Sequence, residues 1–156
     1  MKSLKRISIL FTLLTFTWVA FANNPEVKAK KAASPIELTK ATFIDKVHNF
    51  VQSPNNWKYE GDKPAIIDFY ATWCGPCKLL APTLKDLAAE YGDDIYIYKV
   101  DVDQEPDIAR AFGIQSVPSL LFIPHKGQPQ MGQGNIPKAS LKKVIEEFML
   151  GKEESK

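Results

Sequence analysis

Three stretches of this chain are apolar almost without interruption. AIIDFYA (65–71), DIYIYKVDV (94–102) and VPSLLFIP (117–124) each carry few polar residues, the pattern of strands covered on both faces. QPQMGQG (128–134) follows the third run closely and reads as a weaker edge strand. Elsewhere the apolar positions recur at helical intervals. Phe43, Val47 and Phe50 follow Thr39, a candidate N-cap, after a short apolar start at Ile36 and Leu38. Leu80, Leu84, Leu87 and Ala88 form one stripe of a helix that contains Pro82, expected to bend it, and ends at Gly92. EPDIARAFG (105–113) fits a short helix stopped by Gly113. Ile136, Leu141, Val144, Ile145, Phe148 and Met149 mark a last helix with Pro137 in its first turn.

The order helix, strand, helix, strand, helix, strand, strand, helix predicts an α/β layout with helices on both faces of a mixed central sheet. Crossover helices are expected to set the central strands parallel, with the edge strand added by a hairpin. QSPNNWKYEGDKP (52–64) breaks every periodicity and predicts a long connection, over which Trp57 and Tyr59 are expected to pack as cover.

The 156 residues suffice for one core, and 45% apolar with 24% charged residues is an ordinary globular balance. The first 22 residues have a different pattern. Lys2, Lys5 and Arg6 precede a chargeless run from Ile7 to Phe21, and Ala20-Phe21-Ala22 supplies a small-x-small site. This is the pattern of a secretory signal cleaved near Asn23, and the alternative is an uncleaved membrane tether. Removal takes the formal charge from +2 to −1, which gives no reason to expect nucleic-acid binding. The expected organisation is a signal (1–22), a flexible leader (23–34), one domain (35–150) and a disordered tail (151–156). Export places the domain where disulfides persist.

The only two cysteines lie in ATWCGPCK (71–78). Cys74 falls where a buried strand gives way to a helix, whose first-turn N–H groups are unpaired and favour a thiolate. Cys77, three residues on, shares its face and is close enough to pair. Cys74 is expected to attack a substrate disulfide and Cys77 to resolve the mixed disulfide. Gly75 permits close approach of a substrate backbone, and Pro76 stiffens the first turn without losing a needed donor. Three other readings stand beside this one: a structural disulfide, a zinc site completed by His48 and His125, or a retained fold with an inert thiol pair. Asp68, flanked by apolar residues six positions before Cys74, must be at least partly buried. It is placed to act, through water, as the base for Cys77, unless it sits at an exposed strand end. Lys99 is an isolated cation in the second buried strand and is expected either to pair with Asp68 or to snorkel to solvent.

DFYATWCGPCK, YKVDVDQEPDIARAFGIQSVPSLLFI and a glycine at 134 together resemble the thioredoxin family over residues 36 to about 150. The resemblance implies the thioredoxin fold, Cys74 as nucleophile, Cys77 as resolving thiol, and Asp68 as buried acid with Lys99 as its partner. It also implies a cis proline at Pro118 and a Val117 backbone offered to an extended substrate. Trp73 would then shield the pair, and Gly134 would leave room for the substrate chain. Val117-Pro118-Ser119 departs from the usual Ile-Pro-Thr, Tyr70 replaces a common Trp, and the 52–63 connection is longer than in short family members.

The resulting expectation is an exported, periplasmic-type thiol-disulfide oxidoreductase that reduces disulfides of exported proteins. It would be a monomer, need no cofactor beyond its own cysteines, and be resupplied by a membrane electron donor. Oxidase or isomerase activity, and a non-enzymatic binding module, are the alternatives.

Overall fold

A computed structural model describes residues 33–152. The expected signal, nearly all of the expected leader and residues 153–156 of the expected tail lie outside the described residues. Five strands form one sheet in the order β1-β3-β2-β4-β5. They are β1 (Ile36–Glu37), β2 (Ala65–Tyr70), β3 (Tyr96–Asp101), β4 (Ser119–Ile123) and β5 (Gln130–Gln133). The helices are α1 (Lys40–Lys46), α2 (Gly75–Tyr91), α3 (Pro106–Ala111) and α4 (Lys138–Lys143).

β2 lies at the centre because its residues can be covered on both sides. Ile66 faces Leu80, Leu84 and Leu87 of α2 and Leu141 and Ile145 of the last helix. Ile67 and Phe69 point the other way, against Phe43 and Val47 of the first helical segment and Ile108 of α3. Alternate strand residues therefore build two cores, one under each helical layer. β2 and β3 are parallel, as the intervening α2 crossover requires.

The expectation of parallel central strands fails at β4, which runs antiparallel to β2. The connecting α3 has six residues, a rise of about 9 Å. A six-residue strand spans about 20 Å, so α3 cannot carry the chain back along the sheet, and β4 starts near the end where β3 stopped. β5 then pairs antiparallel with β4, as the short connection implied.

Two further differences are local. Ile36–Glu37 is a strand, held by parallel pairing to Tyr98 and Lys99; two residues are too few to show a period. The last helix begins at Lys138, with Pro137 at its N-cap, and widens into a π-helix over Val144–Met149. A 3.6-residue stripe does not foresee that widening, because Ile145 and Met149 are buried in either geometry.

Thr39 caps α1 through a reciprocal pair with Thr42, in which Thr39 N–H donates to Thr42 Oγ1 at 2.9 Å. α2 is continuous through Pro82. At its end an added Cβ on Gly92 would collide with Ala33, so glycine is needed there for close approach.

The 52–64 connection packs down as expected. Trp57 and Tyr59 lie against the second core, and the Tyr59 hydroxyl donates to Lys63 O at 2.7 Å. His48 is buried beside them, its Nδ1 3.0 Å from Lys58 O and its ring 4.8 Å from Trp57. Phe43 joins this cover to the sheet, edge-on to Phe112 at 5.2 Å and to Phe50 at 5.9 Å. Because Phe43 is fully buried, Phe43→Ala should lower unfolding free energy by about 3–5 kcal/mol. Urea denaturation would read this as a lower midpoint at unchanged slope.

Candidate active site

β2 ends at Tyr70 and α2 begins at Gly75, which places Cys74 at the N-cap of the longest helix among the described residues. The Cys77 N–H donates to Cys74 Sγ at 3.1 Å. In the dithiol form the same donor, with the helix's aligned peptide dipoles behind it, favours a thiolate at Cys74. Here the two sulfurs are joined as a disulfide, with Cα atoms 5.3 Å apart. Both cysteines are almost covered, at 3% and 4% exposure, packed on Ala71 with Val117 alongside. Gly75 and Pro76 form the exposed outer turn, and a Cβ on Gly75 would meet nothing within 4 Å.

The Val117–Pro118 peptide bond is cis, as the resemblance implied. Among the described residues, neither the N–H nor the C=O of Val117 is hydrogen-bonded, which leaves both free for an incoming strand. The Pro118 carbonyl is taken by the Gly134 N–H at 2.9 Å. Gly134 has open space around it and a φ of 84°, so glycine is demanded there by backbone conformation as much as by room for a substrate.

Trp73, beside Cys74, is held from a second element. It is 69% exposed, and its indole N–H donates to Asp103 Oδ2 at 2.9 Å, which fixes it to the loop after β3. Asp103 is in turn held by its own N–H, which donates to Asp101 Oδ1 at 3.0 Å.

Asp68 is buried at 1% exposure, and its Oδ1 has no hydrogen-bond partner. It lines a cavity of 240 Å³ together with Tyr70, Cys77, Lys78, Ala81 and Lys99. Burial pushes the Asp68 carboxyl up to about 7; the Lys99 charge opposes that rise and Glu37 adds to it. The exposed-strand-end reading of Asp68 is thereby excluded, and the acid and the resolving cysteine share one cavity. A larger hollow of 390 Å³ lies near Ile36, Asp45 and Tyr96 and holds none of the candidate residues.

Lys99 does not pair with Asp68 directly. Its Nζ donates to Glu37 Oε2 at 3.3 Å and lies 3.9 Å from the centre of the Tyr70 ring, while the Tyr70 hydroxyl donates to Glu37 Oε1 at 3.0 Å. Glu37 and Asp103 escaped sequence reasoning. The zinc reading also lacks an assembled site: among the described residues no three His, Cys, Asp or Glu are grouped to hold a metal. His48 is engaged by Lys58, and His125 is exposed after β4.

Comparison with known proteins agrees with this arrangement. The family description "Thioredoxin" matches residues 35–147. A thioredoxin of Borreliella burgdorferi is 44% identical over 113 residues, covering 72% of this chain and 96% of that relative. One of Mycobacterium bovis is 47% identical over 101 residues, covering 65% of this chain and 76% of the relative. Among solved structures, chloroplastic thioredoxin z superposes with a TM-score of 0.61 at 27% identity, covering 72% of this chain and 91% of its own. A mutant thioredoxin from Halobacterium salinarum superposes at 0.59 with 30% identity, covering 76% and 93%. The five-stranded mixed sheet is thus the thioredoxin fold, and the Cys74–Cys77 pair is a dithiol-disulfide couple that works without a further cofactor. This chain belongs to the thioredoxin family and is a thiol-disulfide oxidoreductase acting on protein disulfides.

Proposed function

We propose that this protein works outside the cytoplasm as a monomeric disulfide reductase for exported proteins, recharged by a membrane electron donor. The charged start and chargeless run of residues 1–22 lie ahead of the family match, which begins at residue 35, and support export. A reductant beyond the reach of the cytosolic pool needs its electrons delivered across the membrane.

The observation that carries the exchange chemistry is the unpartnered Asp68 oxygen in the cavity it shares with Cys77. Cys74 thiolate attacks a substrate disulfide; one substrate sulfur leaves as a thiolate that takes a proton from solvent, and the other stays bonded to Cys74. The Cys77 proton passes to Asp68 through water, and the Cys77 sulfur attacks Cys74 Sγ. The Cys74–Cys77 disulfide forms, the substrate leaves as a second thiolate and takes up a proton, and two electrons have moved to the substrate. A proton acceptor beside Cys77 speeds release of the reduced substrate and, once protonated, speeds the reverse step equally, so the couple's reduction potential sets the direction. Val117 and Gly134 flank the path an extended substrate segment would take.

Reduction of insulin's interchain disulfides by the domain with dithiothreitol should be lost in Cys74→Ser. Activity that survives the substitution, or a wild type without any, would leave a binding module as the reading. A reduction potential more oxidising than the glutathione pair would instead favour an oxidase. Fractionation with mass spectrometry should find a chain starting near Asn23 outside the cytoplasm; an intact chain in the cytosol defeats export.

Asp68→Asn should slow substrate release from the mixed disulfide at pH 7 by roughly 10–100-fold. Unchanged single-turnover rates from pH 6 to 8 would remove Asp68 as base.

The same acid makes stability depend on pH. The folded protein holds the Asp68 proton up to about pH 7, whereas the ordinary carboxyl releases it near 3.8. The folded state therefore binds more protons between these values, and stability falls as pH rises through that window. Asp68→Asn removes this penalty. Its stability relative to the wild-type disulfide form should improve by about 2–4 kcal/mol on going from pH 4 to pH 8, as read by urea denaturation at both values.

A further inference from the structure

Three charged residues stand in one row across the sheet. Glu37 of β1 and Asp68 of β2 are both register partners of Lys99 on β3, one on either side of it. Register partners in a parallel ladder share a face, with neighbouring strands about 4.8 Å apart. A single ammonium therefore stands between two carboxylates.

Lys99 is bound on the Glu37 side. Its Nζ is 3.3 Å from Glu37 Oε2, its charge lies over the Tyr70 ring, and the Tyr70 hydroxyl occupies the other Glu37 oxygen. Asp68 Oδ1 is left without a partner. The preference has a physical basis. Glu37 is half-exposed, with a side-chain exposure of 51%, and keeps part of its hydration while paired. Moving the ammonium against Asp68 would strip water from a charge that the mainly apolar cavity wall does not replace. The aromatic face adds an attraction that holds the ammonium at the rim.

We propose that Glu37 is a positioning residue for proton transfer at the cysteine pair: it holds Lys99 at the cavity rim and away from Asp68, so that Asp68 gains and loses a proton instead of remaining a fixed carboxylate. The proposal rests on Asp68 serving Cys77. The groups facing Asp68 are few. β1 contributes Glu37, β3 Lys99, β2 itself Tyr70, and α2 Cys77 and Lys78. β4 brings only Leu120 and Ser119 opposite this part of β2. Glu37 acts on Asp68 in two ways with the same sign: its negative charge disfavours ionisation, and its hold on Lys99 keeps the opposing positive charge at a distance. A proton carrier works best when it titrates near the working pH, and a lysine brought into contact would take Asp68 out of that range.

The test is a carbon-13 NMR titration of the Asp68 carboxyl in the oxidised protein, where no thiol titrates beside it. Glu37→Gln keeps the shape and the acceptor for Tyr70 but removes the charge. It should lower the Asp68 midpoint by about one pH unit. In a Lys99→Met background the same substitution should move the midpoint by less than half as much, because the lysine through which Glu37 acts is gone. An unchanged or raised midpoint in Glu37→Gln overturns the proposal. So does an equal shift with and without Lys99, which would make Glu37 a nearby charge and nothing more. Rates of mixed-disulfide resolution in Glu37→Gln should have their acid limb displaced with the NMR midpoint. A midpoint that moves while the rate profile stays in place refutes the use of Asp68 by Cys77, and with it the proton-transfer role of Glu37. The electrostatic coupling itself is judged by the titration alone.

Discussion

β2 is hydrogen-bonded on both edges and covered on both faces, and its one acidic side chain meets solvent only by way of the cavity beside Cys77. Ala65 to Phe69 are sealed to within about 1%. Most of that strand meets the constraint by being apolar, and its alternating side chains organise the two cores. Asp68 is the exception, and the chemistry of the site follows from how a carboxyl behaves where its ion is poorly solvated. The strand at the centre of the sheet also delivers the chain to Cys74, so one buried element aims the acid and the thiol pair at the same cavity.

The charges around that cavity are arranged to leave the conflict partly unresolved. A buried carboxylate beside a lysine would ordinarily settle into an ion pair and lose its ability to exchange a proton. Here the lysine is shared out to β1, through a carboxylate that stays in touch with solvent and a tyrosine that fills both roles of ring and donor. The Trp73 indole is governed in a similar way from the loop after β3, through Asp103. Both contacts are made by residues distant in sequence from ATWCGPCK, so the motif supplies the reacting atoms and its neighbours set the conditions under which they react.

Much of this was legible in the sequence, for identifiable reasons. Continuous apolar runs marked the three inner strands because burial on both faces leaves no room for alternation, and a lone acid in such a run, Asp68, had to be buried with it. The position of Cys74 between a strand and a helix followed from the same pattern. What escaped depends on tertiary pairing. Ile36–Glu37 is a strand only because β3 offers a free edge, and the reversed direction of β4 depends on the brevity of α3. The partner of Lys99 was misplaced because Glu37 lies 62 positions away, and nothing local in either segment reports the pairing. The isomer at Pro118 came from resemblance, since spacing alone does not distinguish cis from trans.

The two reactive sulfurs belong to side chains that are almost wholly covered, although exchange requires them to be touched. With so little of the disulfide showing, a partner would be recognised mainly through the main-chain atoms that Val117 leaves free beside it. A site that reads main chain sorts partners by whether a segment can extend, whatever side chains that segment carries.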